Sequence, residues 1–141
     1  MLRFAAVLSA ALFTGGALYV SVAEHPARMA DPATARREFQ HSYPRAAPWQ
    51  ASCAGICLLT AVLAALMTHA WPIAIGGIAV GAVIPFTLLV MLGTNHRILD
   101  EKSELNLNET TALLRSWGRL HWVRSILGLI GLLIILAYDV R

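Results

Sequence analysis

Trp117, His121 and Arg124 stand at i, i+4 and i+7, a spacing that puts all three on one face of a helix. Two other polar groups interrupt apolar surroundings: Glu24-His25 after one greasy run, and Asn95-His96 after another. If those runs are helices of one bundle, three of the five histidines reach the same end from three different helices. Two chemistries suit such a set. A metal site would draw on His25, His96 and His121 with Glu24 as a carboxylate ligand, donors that fit zinc, iron or copper. None of these histidines has an H-x-x-x-H or E-x-x-H partner on its own helix, so no metal is assigned. The second chemistry is proton abstraction from an acidic, lipophilic substrate. A neutral histidine, His25 or His121, acts as base, and Asn95 and Arg124 stabilise the anion that forms. Tyr19 and Trp117 would wall a pocket for a flat aromatic ring, with Glu24 and His96 beside it.

Ionisable residues at membrane depth are costly unless they face the bundle interior or snorkel to water. Arg124, where an uncharged run begins, is the sharpest case, and Glu24 is its expected counter-charge. Simpler roles compete with the site. Arg97 and Arg119 read as snorkelling interface residues, and Trp117 with Trp122 as an aromatic belt. His41 reads as a solvated loop residue and His69 as an interfacial one.

The elements that must carry these residues are read from hydropathy. Of the 141 residues, 57% are hydrophobic and 13% charged, outside the range of soluble domains. Four uncharged runs account for the excess, giving spans at about 4–24, 47–69, 72–95 and 118–138, with connections at 25–46 and 96–117. Each approaches the roughly 20 residues that cross a hydrocarbon core. The fold class is all-α: a single-domain integral membrane four-helix bundle. The first run, with Ser21-Val22-Ala23 near its end, resembles a secretory signal, but it exceeds the usual apolar core of about 7–15 residues and is read as an uncleaved helix.

Orientation follows the arginines. Arg28, Arg36, Arg37 and Arg45 lie between spans one and two; Arg97, Lys102, Arg115 and Arg119 lie between spans three and four. The other side has Arg3 and Arg141. Both connections are therefore expected inside and both termini outside, in a bacterial inner membrane. The +3 net charge belongs to this topology and calls for no nucleic-acid partner. Cys53 and Cys57, one turn apart on span two, suit neither a disulfide nor a zinc site.

Locally, Asp31-Pro32 opens a short interfacial helix over Ala33–Gln40, which Ser42-Tyr43-Pro44 ends. Pro26 would end span one where His25 turns inward, and Pro85 would kink span three. Asn108 or Thr110 is the expected cap of the last helix. Gly77 and Gly81 form a small-residue face that would suit packing against a larger membrane complex or a second copy.

"VAEHPARM", "GTNHRIL" and "LLRSWGRLHWVRSILGLIGLLI", taken together, resemble the anthrone oxygenase-like family of small four-helix membrane proteins. The anchors fall on His25-Pro26, Asn95 and Trp117/His121/Arg124. The resemblance implies oxidation of anthrones to anthraquinones by dioxygen without a bound cofactor. It further implies His121 or His25 as base, and Asn95 with Arg124 as oxyanion stabilisers. The resulting expectation is an oxygenase acting on a phenolic or quinone-like compound from the bilayer. The alternatives are a non-enzymatic subunit of a membrane complex and a quinone- or metal-binding redox protein.

Overall fold

A computed structural model describes residues 1–139; Arg141, used above for orientation, lies outside them. Four helices are long and apolar enough to cross a membrane: α1 (Leu2–Arg28), α2 (Pro32–Thr68), α3 (Trp71–Leu99) and α4 (Leu107–Tyr138). Among the described residues there is no strand. The helices form an up-down-up-down square in which α1 and α3 each pack against α2 and α4, while the diagonals scarcely touch. Both long connections lie at one end. At the other, Arg3 donates to Thr68 Oγ1 at 3.1 Å and covers the Tyr138 ring.

Alanines supply much of the interior, between larger residues such as Phe13, Ile73 and Ile135, and many large apolar side chains face outward. Ala6, Ala10, Ala17, Ala54 and Ala61 are buried, whereas Leu12, Leu59, Leu66, Ile78 and Leu133 are exposed. Water would punish that distribution, but lipid does not, and helices in lipid associate through close backbone packing at small residues. The Gly77/Gly81 face is buried within the chain: a Cβ at either glycine would strike α2, at Ala61 or Leu58. It is therefore not an open surface for a partner.

The segment before span two differs most from expectation. Asp31 caps the helix, accepting from Ala33 N at 3.2 Å and from Thr34 Oγ1 at 2.9 Å, and Pro32 occupies the first turn. The helix then runs through Pro44 and Pro48 to Thr68, so there is no separate interfacial helix. Each proline removes a donor from the turn before it, leaving the Gln40 and Pro44 carbonyls without their helical partners. Both prolines sit on the exposed side, where such carbonyls can meet polar surroundings. Continuity keeps Phe39, Tyr43, Ala46 and Gln50 in line at i, i+4, i+7 and i+11 on the inward face.

α1 and α3 each carry one π-helical turn, Val20–Glu24 and Thr87–Met91. Such turns admit an extra residue and re-aim the side chains that follow. Pro26 does not end α1, which continues to Arg28. Pro85 acts as expected, with α3 interrupted at Ala82, next to the Gly81 carbonyl that loses its partner. The cap of α4 is Asn106 instead of Asn108 or Thr110. Asn106 Oδ1 accepts from Glu109 N, and Glu109 Oε2 accepts from Asn106 N, both at 3.0 Å. This is a reciprocal capping box. Finally, Arg36 ties α2 to the end of α3, donating to the carbonyls of Ile98, Ser103 and Asp100. These carbonyls lie at and just past a helix C-terminus, where the helical ladder runs out; Asp100 and Ser103 also accept from the N–H groups of Ser103 and Leu105.

Candidate functional site

At the end bearing the two connections, Trp117 forms the centre of an aromatic stack. Its indole is 3% exposed and packs on the His121 ring at 4.6 Å between centroids, nearly parallel. His25 lies 5.1 Å from the indole, and the Phe39 ring meets it edge-on at 5.0 Å. Phe39 in turn stacks on Tyr43. The indole Nε1 donates to Asn95 Oδ1 at 3.0 Å, and Asn95 Nδ2 donates to the Tyr43 hydroxyl at 2.7 Å. One buried carboxamide thus joins α2, α3 and α4.

Asn95→Leu keeps the bulk but strips partners from a buried indole N–H and a half-buried hydroxyl. The expected loss is about 1–3 kcal/mol, the cost of unsatisfied buried polar groups. A lowered thermal midpoint in detergent checks it.

His121 is 2% exposed, and its Nδ1 lies 2.9 Å from Ser21 Oγ. Ser21 Oγ is 2.8 Å from Ser125 Oγ, which donates to the Ala17 carbonyl at 3.0 Å. One proton arrangement satisfies all three of these contacts at once. A carbonyl only accepts, so Ser125 uses its one hydrogen there, and Ser21 donates to Ser125. His121 Nδ1 then carries the proton that Ser21 accepts, and Nε2 keeps its lone pair. Among the described residues Nε2 has no hydrogen-bond partner, and His121 borders a cavity of about 20 Å³. That is room for a single water-sized molecule.

Arg124 also borders this cavity and is 5% exposed. It donates to Gln50 Oε1 at 2.9 Å and covers the Phe13 ring, but its Nε has no partner and no carboxylate pairs with it among the described residues. Glu24, its expected counter-charge, instead pairs with Arg28 one turn along the same helix. Arg28 is itself buried and donates to Ser42 Oγ at 2.9 Å, with Glu38 3.9 Å away. Of the two buried arginines at this end, Arg28 is neutralised and Arg124 is not.

Anthrone oxygenases, as a protein family, match residues 39–134. The chain belongs to the anthrone oxygenase family. No curated protein and no solved structure matches it. In this family member the match takes in Phe39, Tyr43, Gln50, Asn95, Trp117, His121 and Arg124, whereas Ser21, Glu24, His25 and Arg28 lie before it.

The expected site residues separate into two groups. His25, Asn95, Trp117, His121 and Arg124 are buried at one end of the bundle, and half-buried Glu24 borders the small cavity. Tyr19 and His96 depart from expectation. Tyr19 is 62% exposed on the outer face of α1 and borders neither of the two cavities at this end. His96 is exposed, one position past inward-facing Asn95. Among the described residues no three His, Cys, Asp or Glu side chains cluster as metal ligands. His25 is inward but tightly packed: a Cβ on Gly118 would lie 2.5 Å from its Nε2, so only glycine leaves room for the imidazole. The expectations missed Tyr43, Gln50, Ser21 and Ser125. The i, i+4, i+7, i+11 stripe ending at Gln50 was the available signal, hidden by reading Pro44 as a stop.

Proposed function

We propose that this anthrone oxygenase family member is a membrane-embedded oxygenase. It converts the acidic methylene of a lipophilic, anthrone-like phenol to a carbonyl with dioxygen, using no resident cofactor. The observation that carries the reading is the pairing of a histidine whose Nε2 is free with a buried arginine lacking a counter-ion, beside one cavity. His121 Nε2 takes a methylene proton, and the carbanion's charge spreads to the conjugated oxygen, which Arg124 stabilises. The carbanion gives electrons to dioxygen, forming a C–O bond and a peroxide that takes back a proton. Loss of the second methylene hydrogen with O–O cleavage yields the carbonyl and one water. The carbon loses four electrons and dioxygen gains them, so no other reductant is required.

Asn95, with Oδ1 and one N–H engaged, acts by holding Tyr43 and Trp117 instead of meeting the oxyanion. His25, packed against Gly118, supports the Trp117 stack. The arginine distribution supports a site at the cytoplasmic face of a bacterial inner membrane, with both termini outside. The test is dioxygen uptake by the purified protein with an anthrone, measured against autoxidation in empty detergent. Uptake should rise with protein concentration and survive treatment with EDTA. Uptake equal to the blank, or its loss on chelation with recovery on adding metal, contradicts the reading.

A further inference from the structure

A second cavity, of about 260 Å³, lies between α2 and α3 and shares Tyr43, Ala47 and Arg124 with the small one. Its outer walls are Pro48 and Ala51 from α2 with Val83, Ile84 and Thr87 from α3. Pro48 and Pro85 each weaken a turn, and the π turn Thr87–Met91 shifts α3 beside the opening. Its mouth is flanked by residues on the apolar exterior, with Leu88 57% exposed. Arg124, buried and without an acid partner among the described residues, also lines the cleft.

We propose that this cleft is the substrate site, entered sideways from the bilayer, and that it holds a small planar phenol as the monoanion formed when its methylene proton leaves. The rings lie between the apolar walls, and the anionic oxygen rests on Arg124 and Tyr43. Charge complementarity selects this occupant. A buried cation lacking a counter-ion is costly, and a ligand that brings one negative charge completes the pair. A neutral acyl chain would leave Arg124 as it is. The volume is near the lower edge of small-molecule sites, which suits a flat ring system better than a branched one. Tyr43 is well placed to contribute, because Asn95 donates to its oxygen and leaves the phenolic hydrogen to donate elsewhere. The small cavity then adjoins the bound ring on the His121 side.

The identity of the ligand rests on the oxygenase reading, but its binding can be measured without turnover. The probe is a dihydroxyanthraquinone, already oxidised at the reacting carbon, titrated into full-length protein in nanodiscs and followed by visible absorption. Wild type and Gly15→Ala, where nothing lies within 4 Å of an added Cβ, should bind it alike, with a shift toward the phenolate spectrum. Ala51→Phe and Thr87→Phe, one from each wall, should each weaken binding at least 10-fold. Arg124→Met should abolish the spectral shift. No binding to wild type, or binding unchanged by both wall variants, overturns the proposal. Binding as described without any anthrone turnover defeats the oxygenase reading and leaves the cleft standing. Turnover with an unchanged KM in both wall variants does the reverse.

Discussion

His121→Asn should lower the rate of anthrone oxidation by about 10²–10⁴, the range supplied by a positioned general base, while leaving the protein folded. Asparagine is chosen because its amide nitrogen can take the place of Nδ1 and keep the bond to Ser21 Oγ, now 2.9 Å long. What it lacks is an atom at the Nε2 position. The variant therefore separates the base from the buried hydroxyl chain that holds it. Ser21→Ala acts on the same chain from the other side: it leaves Nε2 present but frees the ring to change tautomer. Its effect should be smaller than that of His121→Asn and should appear in kcat before KM. A His121→Asn protein with wild-type turnover would remove His121 from the chemistry.

A large structural effect is expected at Gly131, one turn and more beyond Arg124 on α4. A Cβ there would lie 2.5 Å from the Gly76 carbonyl oxygen and 2.6 Å from Val80 Cγ2. The obstruction is backbone of α3, which cannot rotate aside as a side-chain tip can. The same crossing is tight from the other side, where a Cβ on Gly76 would meet Ile135 and the Gly131 carbonyl at 2.6 and 2.7 Å. Gly131→Ala must therefore push α3 and α4 apart at this crossing. Overpacking of this kind costs about 1–3 kcal/mol. Gly15→Ala is the control, because nothing lies within 4 Å of a Cβ at that position. A clearly lowered thermal midpoint for Gly131→Ala, with no loss for Gly15→Ala, is the expected pair of results.

Much of the fold was legible because bilayer thickness imposes it. Four apolar runs with arginines between them leave little choice but four crossing helices, and Asp31-Pro32 marked a helix start that the structure keeps. Legibility failed where a local rule met tertiary packing. Pro44 reads as a stop, yet the turn survives because Phe39, Tyr43 and Gln50 gain a buried face by staying in helical register. Glu24 reads as the partner of Arg124 because both are isolated charges at similar depth. Arg28, one turn along the same helix, reaches it first. The i, i+4, i+7 face of Trp117, His121 and Arg124 needed no tertiary information and is present as read. The hydroxyl chain from Ser125 to His121 was out of reach, since two serines on different helices carry no spacing signal.

Oxidation that depends on His121 as base should deliver one atom of dioxygen to the substrate. The direct measurement is turnover of an anthrone under ¹⁸O₂ by wild type and His121→Asn, with product mass and oxygen consumption recorded together. One ¹⁸O in the new carbonyl and one dioxygen consumed per product, both lost in His121→Asn, is the predicted result. Label arriving from water, or equal labelled product from wild type, variant and empty detergent, would contradict it.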